Sequence, residues 1–521
     1  MEEKEKVTKA AWIVGAATLL SRILGFVRDM VVAYFFGAGL SADAFFVAFR
    51  IPNLLRRLVA EGALTVSFIP IFTDYLTNRS REEAFILARV TLTLLSLVLV
   101  ILSIAGVLLA PWIVRLFAPG FTATPDKFAL TILLTRVLFP YIFFIGLVAL
   151  AMGLLNALGR FAAPALAPVL LNVGMIASMW LLRGFFDPPI LALAVGVLIG
   201  GLLQVLLQVP FLIKEDFVIR FSFNFNHPGL KRIGMLMVPA AFGAAVYQFT
   251  IFISTLLASF LPQGSVSALY YADRLVQFPL GVFAIALGSA VLPSMSRQAA
   301  SSDVEGLVDT LSYALRLVFF ISLPAMVGLI LLAEPIIRLL FQRGRFGTSA
   351  TQLTTTALIA YAAGLWAFSG MQIMVRAFYS LQDTKTPVKV AIISLLINIV
   401  LAILLMRPLK HVGLALATSF SSMVNLTILT LILRQRLGRI QGRLIINSLF
   451  KNLAAALAMG LPIFLIRHYC YQSTGTVLNL LLLVLGEMIL GMAVYLVLTF
   501  CFRSPEFTYI RDFFRSRQRS A

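Results

Sequence analysis

Ala110-Pro-Trp-Ile-Val-Arg115-Leu116 is followed 223 residues later by Ala333-Glu-Pro-Ile-Ile-Arg338-Leu339. The same offset relates Gly62-Ala-Leu-Thr-Val-Ser-Phe-Ile-Pro70 to Ile285-Ala-Leu-Gly-Ser-Ala-Val-Leu-Pro293. It also relates Pro164, after Arg160-Phe-Ala-Ala, to Pro387, after Asp383-Thr-Lys-Thr. Each match is weak alone; three at one spacing mark an internal duplication. The chain is 60% hydrophobic and only 12% charged, with a mean hydropathy of +0.97. No soluble fold needs that much apolar side chain, so it reads as an all-α polytopic membrane protein.

About fourteen segments are long enough to cross a hydrocarbon core that takes roughly 20 residues per helix. Among them are residues 10–36, 42–73, 127–158, 386–406, 411–434, 445–467 and 476–502. With the repeat, this predicts an N-lobe of helices 1–6 over residues 1–220 and a C-lobe of helices 7–12 over 221–440. Helices 13 and 14 and a basic tail follow over 441–521. An even number of spans per lobe gives both lobes the same orientation, so the repeat is parallel. A parallel repeat places its axis along the membrane normal and its substrate site between the lobes.

The net charge of +20 raises nucleic acid as a partner, but the distribution of the charge argues for membrane topology. With the N-terminus in the cytoplasm, about 23 Lys and Arg fall on cytoplasmic loops and tails and about 7 outside. The expectation is a multi-pass protein with both termini cytoplasmic, membrane lipids as neighbours and no nucleic-acid partner. The mixed-sign start Met1-Glu-Glu-Lys-Glu-Lys6 does not read as a signal peptide. Two cysteines, Cys470 and Cys501, give no metal spacing, and three histidines far apart in sequence give no catalytic set. No metal, no other cofactor and no enzyme activity are expected.

Charges inside oily spans cost roughly 2.5–3.5 kcal/mol each on insertion scales and usually face a polar cavity. Arg22, Arg28, Arg56 and Arg274 are such residues, and their cluster of cations predicts an anionic ligand. Guanidinium suits a diphosphate, because it stays protonated and its forked donors match phosphate oxygens bidentately. Asp29, Asp43, Glu61 and Asp273 are the acids expected to hold those arginines in ion pairs. Arg50, Arg57 and Asp383 are secondary or gating candidates. The positions 223 residues beyond Arg22, Arg28 and Asp29 are Ala245, Ile251 and Phe252, so this polarity belongs to one copy only.

Ser21-Arg-Ile-Leu-Gly-Phe-Val-Arg-Asp29, Asp43-Ala-Phe-Phe-Val-Ala-Phe-Arg50, Pro52-Asn-Leu-Leu-Arg-Arg57 and Ala60-Glu-Gly62 resemble the MurJ (MviN) family of lipid II flippases. So do Tyr270-Tyr-Ala-Asp-Arg274 and Asp383-Thr-Lys-Thr-Pro387, and the likeness runs through essentially the whole chain. The resemblance implies the fourteen-helix multidrug/oligosaccharidyl-lipid/polysaccharide (MOP) exporter fold in the bacterial inner membrane. It also implies movement of an undecaprenyl-diphosphate-linked peptidoglycan precursor from the inner to the outer leaflet, serving cell-wall biogenesis and cell shape. The family's essential cavity arginines map onto Arg22, Arg28, Arg56 and Arg274, and its acids onto Asp29 and Asp43. Helices 13 and 14 would carry the polyprenyl tail. Two positions depart from relatives: Gln277 stands where some carry an acid, and residues 232–261 lack the acid that some use for sodium.

These readings predict alternating access, with the diphosphate bound by the arginines and the empty, cationic cavity reset by membrane potential or a monovalent cation. One charge moved through 100 mV is worth about 2.3 kcal/mol. Lipid II is the expected cargo, and proteins of peptidoglycan synthesis and division are candidate partners. The rivals are an exporter of another polyprenyl-linked oligosaccharide and a membrane enzyme acting on polyprenyl phosphates.

Overall fold

The computed structural model describes residues 2–57, 64–470 and 476–507, with side chains for 12–57, 64–238, 248–467 and 476–507. Glu61 lies outside the described residues. Every regular element among them is helical. In the first half these are α1 (Glu2–Phe36), α2 (Leu40–Leu55), α3 (Thr65–Asn78), α4 (Arg81–Leu108), α5 (Ala110–Phe117), α6 (Pro125–Leu138), α7 (Tyr141–Ala157), α8 (Ala162–Leu181) and α9 (Leu191–Lys214). Then come α10 (Pro228–Ser259), α11 (Ser265–Pro279), α12 (Ile285–Ala300), α13 (Val304–Leu331), α14 (Ala333–Leu340), α15 (Thr348–Ala362), α16 (Leu365–Ser380) and α17 (Lys385–Leu437). The chain closes with α18 (Gly442–Cys470) and α19 (Val477–Cys501). Nine helices among the described residues are long and apolar enough to cross a membrane, or ten if the bent pair α15–α16 is one span.

The duplication is visible in where helices start and stop. α4 and α13 begin and end 223 residues apart, and so do the short α5 and α14. The start signals match as well. Ser80 accepts the amide of Glu83 at the head of α4, and Asp303 accepts that of Gly306 at the head of α13. Each oxygen satisfies an amide that a first helical turn leaves without a partner, and the acids that follow favour the helix dipole. A π-helical turn includes Arg56 and Arg57 in the first copy, and another spans Leu280–Ala284 in the second, again 223 residues on to within a residue. The break predicted between spans 386–406 and 411–434 sits at Lys410, which leaves helical geometry inside α17 at φ 51° and ψ −130°.

Contacts group the chain into two compact units, Met1–Ser267 with Gly344–Phe346, and Ala268–Arg343 with Gly347–Ala521. This partition differs from that of the repeat, because α10 groups with the first unit. It packs along α3, and its last residue, Ser259, accepts a 3.0 Å hydrogen bond from the Gly120 amide. Within the first unit, a core of Phe68, Phe72, Phe85 and Phe217 joins α3 to α4 through stacked and edge-on rings.

Lipid gives apolar helices little reason to prefer one another over tails, so close packing depends on small residues and hydrogen bonds. α8 meets α9 at glycines: a Cβ at Gly174 would lie 2.8 Å from Gly200 Cα. That contact fixes α8, whose Asn172 is aimed at α1. In the second unit, α19 is tied to α13 by Tyr495, whose hydroxyl donates to the Phe320 carbonyl at 2.8 Å. Glu506 completes the attachment by bridging Arg316 at 3.3 Å and accepting from Ser448 at 3.0 Å.

Candidate functional site

Arg28 is the most constrained of the predicted arginines. It is 7% exposed and Asp29 is 2% exposed, so both charges have left water. One carboxylate oxygen, Asp29 Oδ1, accepts from Arg28 Nε at 3.0 Å and Nη2 at 2.7 Å. Arg28 Nη1 donates to Asn172 Oδ1 at 3.0 Å and reaches Met175 Sδ at 4.0 Å. Asn172 is oriented in turn, since its amide donates to the carbonyls of Ser21 and Pro168, each at 3.2 Å. Desolvating two charges is costly, and such a pair persists only when its hydrogen bonds are well satisfied. Here α1 supplies both ions and α8 supplies the neutral third partner. The arrangement holds a guanidinium at one place and one angle inside an oily bundle.

Asp43 does something else. It was expected to pair with an arginine; its partner is Lys127, at 2.7 Å from Oδ2. The Gly264 amide also donates to Oδ2, while the amide and hydroxyl of Ser267 donate to Oδ1. Lys127 lies over the Phe121 ring, 3.9 Å from its centroid, and Asp43 is wholly buried. Four donors on one carboxylate make this a fastener joining α2, α6 and the start of α11 with the turn before it. Sequence reading missed Lys127 and Asn172. Lys127 left a clue, as a cation at the head of an apolar span needs an acid within reach.

The other candidates in the first unit are spread out. Arg22 is exposed, Arg50 is half-buried and donates to Thr255 Oγ1 at 2.6 Å, and Arg56 donates to Asn53 Oδ1 at 3.0 Å. Arg57 is exposed. The π-helical turn at Arg56 and Arg57 ends the shared helical face that the spacing of Arg50 and Arg57 predicts.

In the second unit, Asp273 and Arg274 are both exposed. Arg274 folds back on Tyr270, donating to its hydroxyl from Nη2 at 3.0 Å with the guanidinium 5.0 Å from the ring centroid. Asp273 accepts from Gln277 at 3.5 Å, so the departure noted at Gln277 gives this acid a neutral partner one turn away. Asp383 lies outside the spans. It accepts the amide and hydroxyl of Thr386 and pairs with Arg436. Burial pushes its pKa up, but the Thr386 bonds and Arg436 outweigh this and bring it from 3.8 to about 2. It is a clamp between the head of α17 and its tail. The first unit has a counterpart: Glu215 pairs with Arg160 at 2.6 Å and Arg81 at 3.1 Å, and the Arg160 hydrogen bond leads in lowering its pKa.

The chain is similar to known proteins over most of its length. The family described as "Lipid II flippase MurJ" matches residues 32–486. A protein of Vibrio cholerae serotype O1 named "Probable lipid II flippase MurJ" is 42% identical over 436 residues, 82% of either chain. "Lipid II flippase MurJ" of Burkholderia cenocepacia is 39% identical over 432 residues, 82% of this chain and 84% of that one. The solved structure "Lipid II flippase MurJ, inward closed conformation" matches with a TM-score of 0.78 at 29% identity, covering 94% of this chain and 98% of the other. An inward-facing multidrug resistance MATE family transporter of the MOP superfamily matches with a TM-score of 0.69, covering 83% of this chain and 99% of that one. At 19% identity it speaks for the fold alone.

Proposed function

The chain belongs to the lipid II flippase MurJ family, and from that premise we propose that it carries lipid II from the inner to the outer leaflet by alternating access. The observation that carries this reading is the length of the match, residues 32–486, together with relatives of that name at about 40% identity. The protein is a multi-pass component of the inner membrane with both termini in the cytoplasm, and it changes the leaflet of its cargo without changing the molecule. The lobes of the repeat are the moving parts.

The chemistry proceeds from the arginines. Arg28, already desolvated and oriented by Asp29 and Asn172, is the fixed anchor of the diphosphate. Arg22, Arg56 and Arg274 are the more accessible cations that draw the head in. Asp29 keeps Arg28 neutralised when no cargo is bound, so cargo and carboxylate compete for one guanidinium. The polyprenyl tail stays in lipid beside α18 and α19. Membrane potential returns the emptied, cationic site inward, in keeping with about 2.3 kcal/mol per charge per 100 mV. Peptidoglycan synthesis and division proteins are the expected suppliers and receivers.

The test is leaflet accessibility of lipid II in cells where this protein is rapidly inactivated, read with an enzyme that cleaves outward-facing precursor only. Cleavable precursor should collapse while total precursor accumulates. Unchanged outward exposure would exclude lipid II as the cargo that depends on this protein.

A further inference from the structure

At the ends of α1 and α8 remote from Arg28, a cavity of about 400 Å³ opens within the first unit. Its lining includes Tyr34, Phe35, Arg183, Gly184, Pro189 and Arg345, and no acid is among the lining residues. A concavity of this size is in the range that takes small ligands and headgroups. Trp180 stacks on Tyr34 at 6.5 Å and meets Phe35 edge-on at 5.0 Å, and the Arg183 guanidinium lies 4.2 Å from the Phe35 centroid. The floor is backbone pressed on backbone. The Arg345 amide donates to the Tyr34 carbonyl at 2.9 Å, and Gly37 and Gly344 take positive φ of 65° and 58° there. A Cβ at Gly37 would lie 2.5 Å from the Arg345 carbonyl oxygen, and one at Gly344 would lie 2.4 Å from that of Tyr34. Only glycine fits both turns, so Arg345 is delivered to the cavity at a fixed place.

Two exposed guanidiniums therefore share one aromatic-walled cavity, and no carboxylate is paired with either among the described residues. The C-terminal ends of α1 and α8 tolerate cations near them, which explains how the pair stays without an acid. Beside Arg183 in the chain, Trp180, Leu181 and Phe185 are exposed by 57%, 71% and 82%, an apolar, aromatic-bearing rim of the kind suited to a membrane–water boundary. We propose that Arg183 and Arg345 form an anion site for a phosphate group held at this boundary, separate from the Arg28 site. Forked guanidinium donors suit phosphate oxygens, and the apolar rim suits the acyl chains of a lipid that carries one. The proposal is independent of the flippase reading, because it is read by binding without transport.

The experiment titrates the purified full chain in detergent with short-chain phosphatidylglycerol, with the matching diacylglycerol as the uncharged probe and inorganic pyrophosphate as the soluble one. R183Q/R345Q is compared with R297Q/R439Q, which removes two exposed charges elsewhere. Phosphatidylglycerol affinity should fall at least roughly tenfold in the first variant only, about 1.4 kcal/mol, and diacylglycerol should bind neither protein detectably. Pyrophosphate displacing the lipid from the unmodified protein would support a site that also takes free diphosphate; lipid binding that resists it would support a headgroup site. Equal affinity in the two double variants would overturn the proposal. The single variants R183Q and R345Q, each expected to lose part of the affinity, serve if the double variant does not fold.

Discussion

The pair α8–α9 and its repeat equivalent, the two arms of α17, occupy the same place in the duplicated scaffold and are joined by different chemistry. In the first copy Gly174, Gly196 and Gly200 let backbone approach backbone. The second copy has Ile397, Ser419 and Met423 at those positions. There Asn398 donates across to Thr418 and Ser421, each at 3.4 Å. Glycine packing in lipid is tight and exacting, while polar bonds of that length are loose and individually weak. The tight pair is also the one that holds Arg28, since Asn172 and Met175 on α8 both meet its guanidinium. The frame occurs twice, and the run of three glycines across this helix pair occurs in one copy.

Substitutions at matched repeat positions should therefore act unequally. Asp43→Ala leaves the nearly buried Lys127 without its acid and should cost about 3–5 kcal/mol, seen as early thermal unfolding of the purified protein. Its repeat position is already Val266, so no comparable ion is stranded by changing that residue. Gly174→Leu drives a side chain into the backbone of α9 and should cost about 3 kcal/mol by the same measurement. The repeat position tolerates Ile397→Leu with less than about 1.5 kcal/mol lost. Arg28→Ala removes charge-assisted bonds worth about 1.5–3 kcal/mol, a roughly ten- to hundredfold loss of flipping. Ile251→Ala, at the repeat position, should leave flipping near normal. Equal loss in the two would end the claim that the first copy alone holds this chemistry.

Both copies clamp the same ends, with the signs reversed. Arg160 pairs with Glu215 in the first, and its repeat position, Asp383, pairs with Arg436 in the second. Asp383 is more acidic folded than unfolded, so its stabilising contribution is complete above 3.8 and is lost as pH falls towards about 2. Asp383→Asn should cost up to about 1 kcal/mol at neutral pH and flatten that acid-side loss in a pH series of melting curves. Least of all, Asn398→Ala should cost about 0.6 kcal/mol, the usual worth of one such bond in a membrane. A larger loss would mean that the polar pair is as exacting as the glycine pair.

Much of the frame was legible because hydropathy and punctuation are local. The break between 386–406 and 411–434 and the match of α5 with α14 follow from residues adjacent in sequence. Arg28 and Asp29 were legible for the same reason. Lys127 and Asn172 were not, because their partners stand 84 and 144 residues away, and only packing brings them together. Reading Asp43 as an arginine's partner failed on that ground: the acid was right and the cation came from another helix. The exchange of sign between the two clamps was equally hidden, as no single residue announces it.

The π-helical turn has a history to tell. A one-residue bulge is a small accident in a helix, easily lost when nothing depends on it. Finding it at one offset in both copies, in sequences that otherwise share few residues, means by parsimony that it is older than the duplication. The arginines of α1 stand in one copy only, so the joint belongs to the shared frame and they do not.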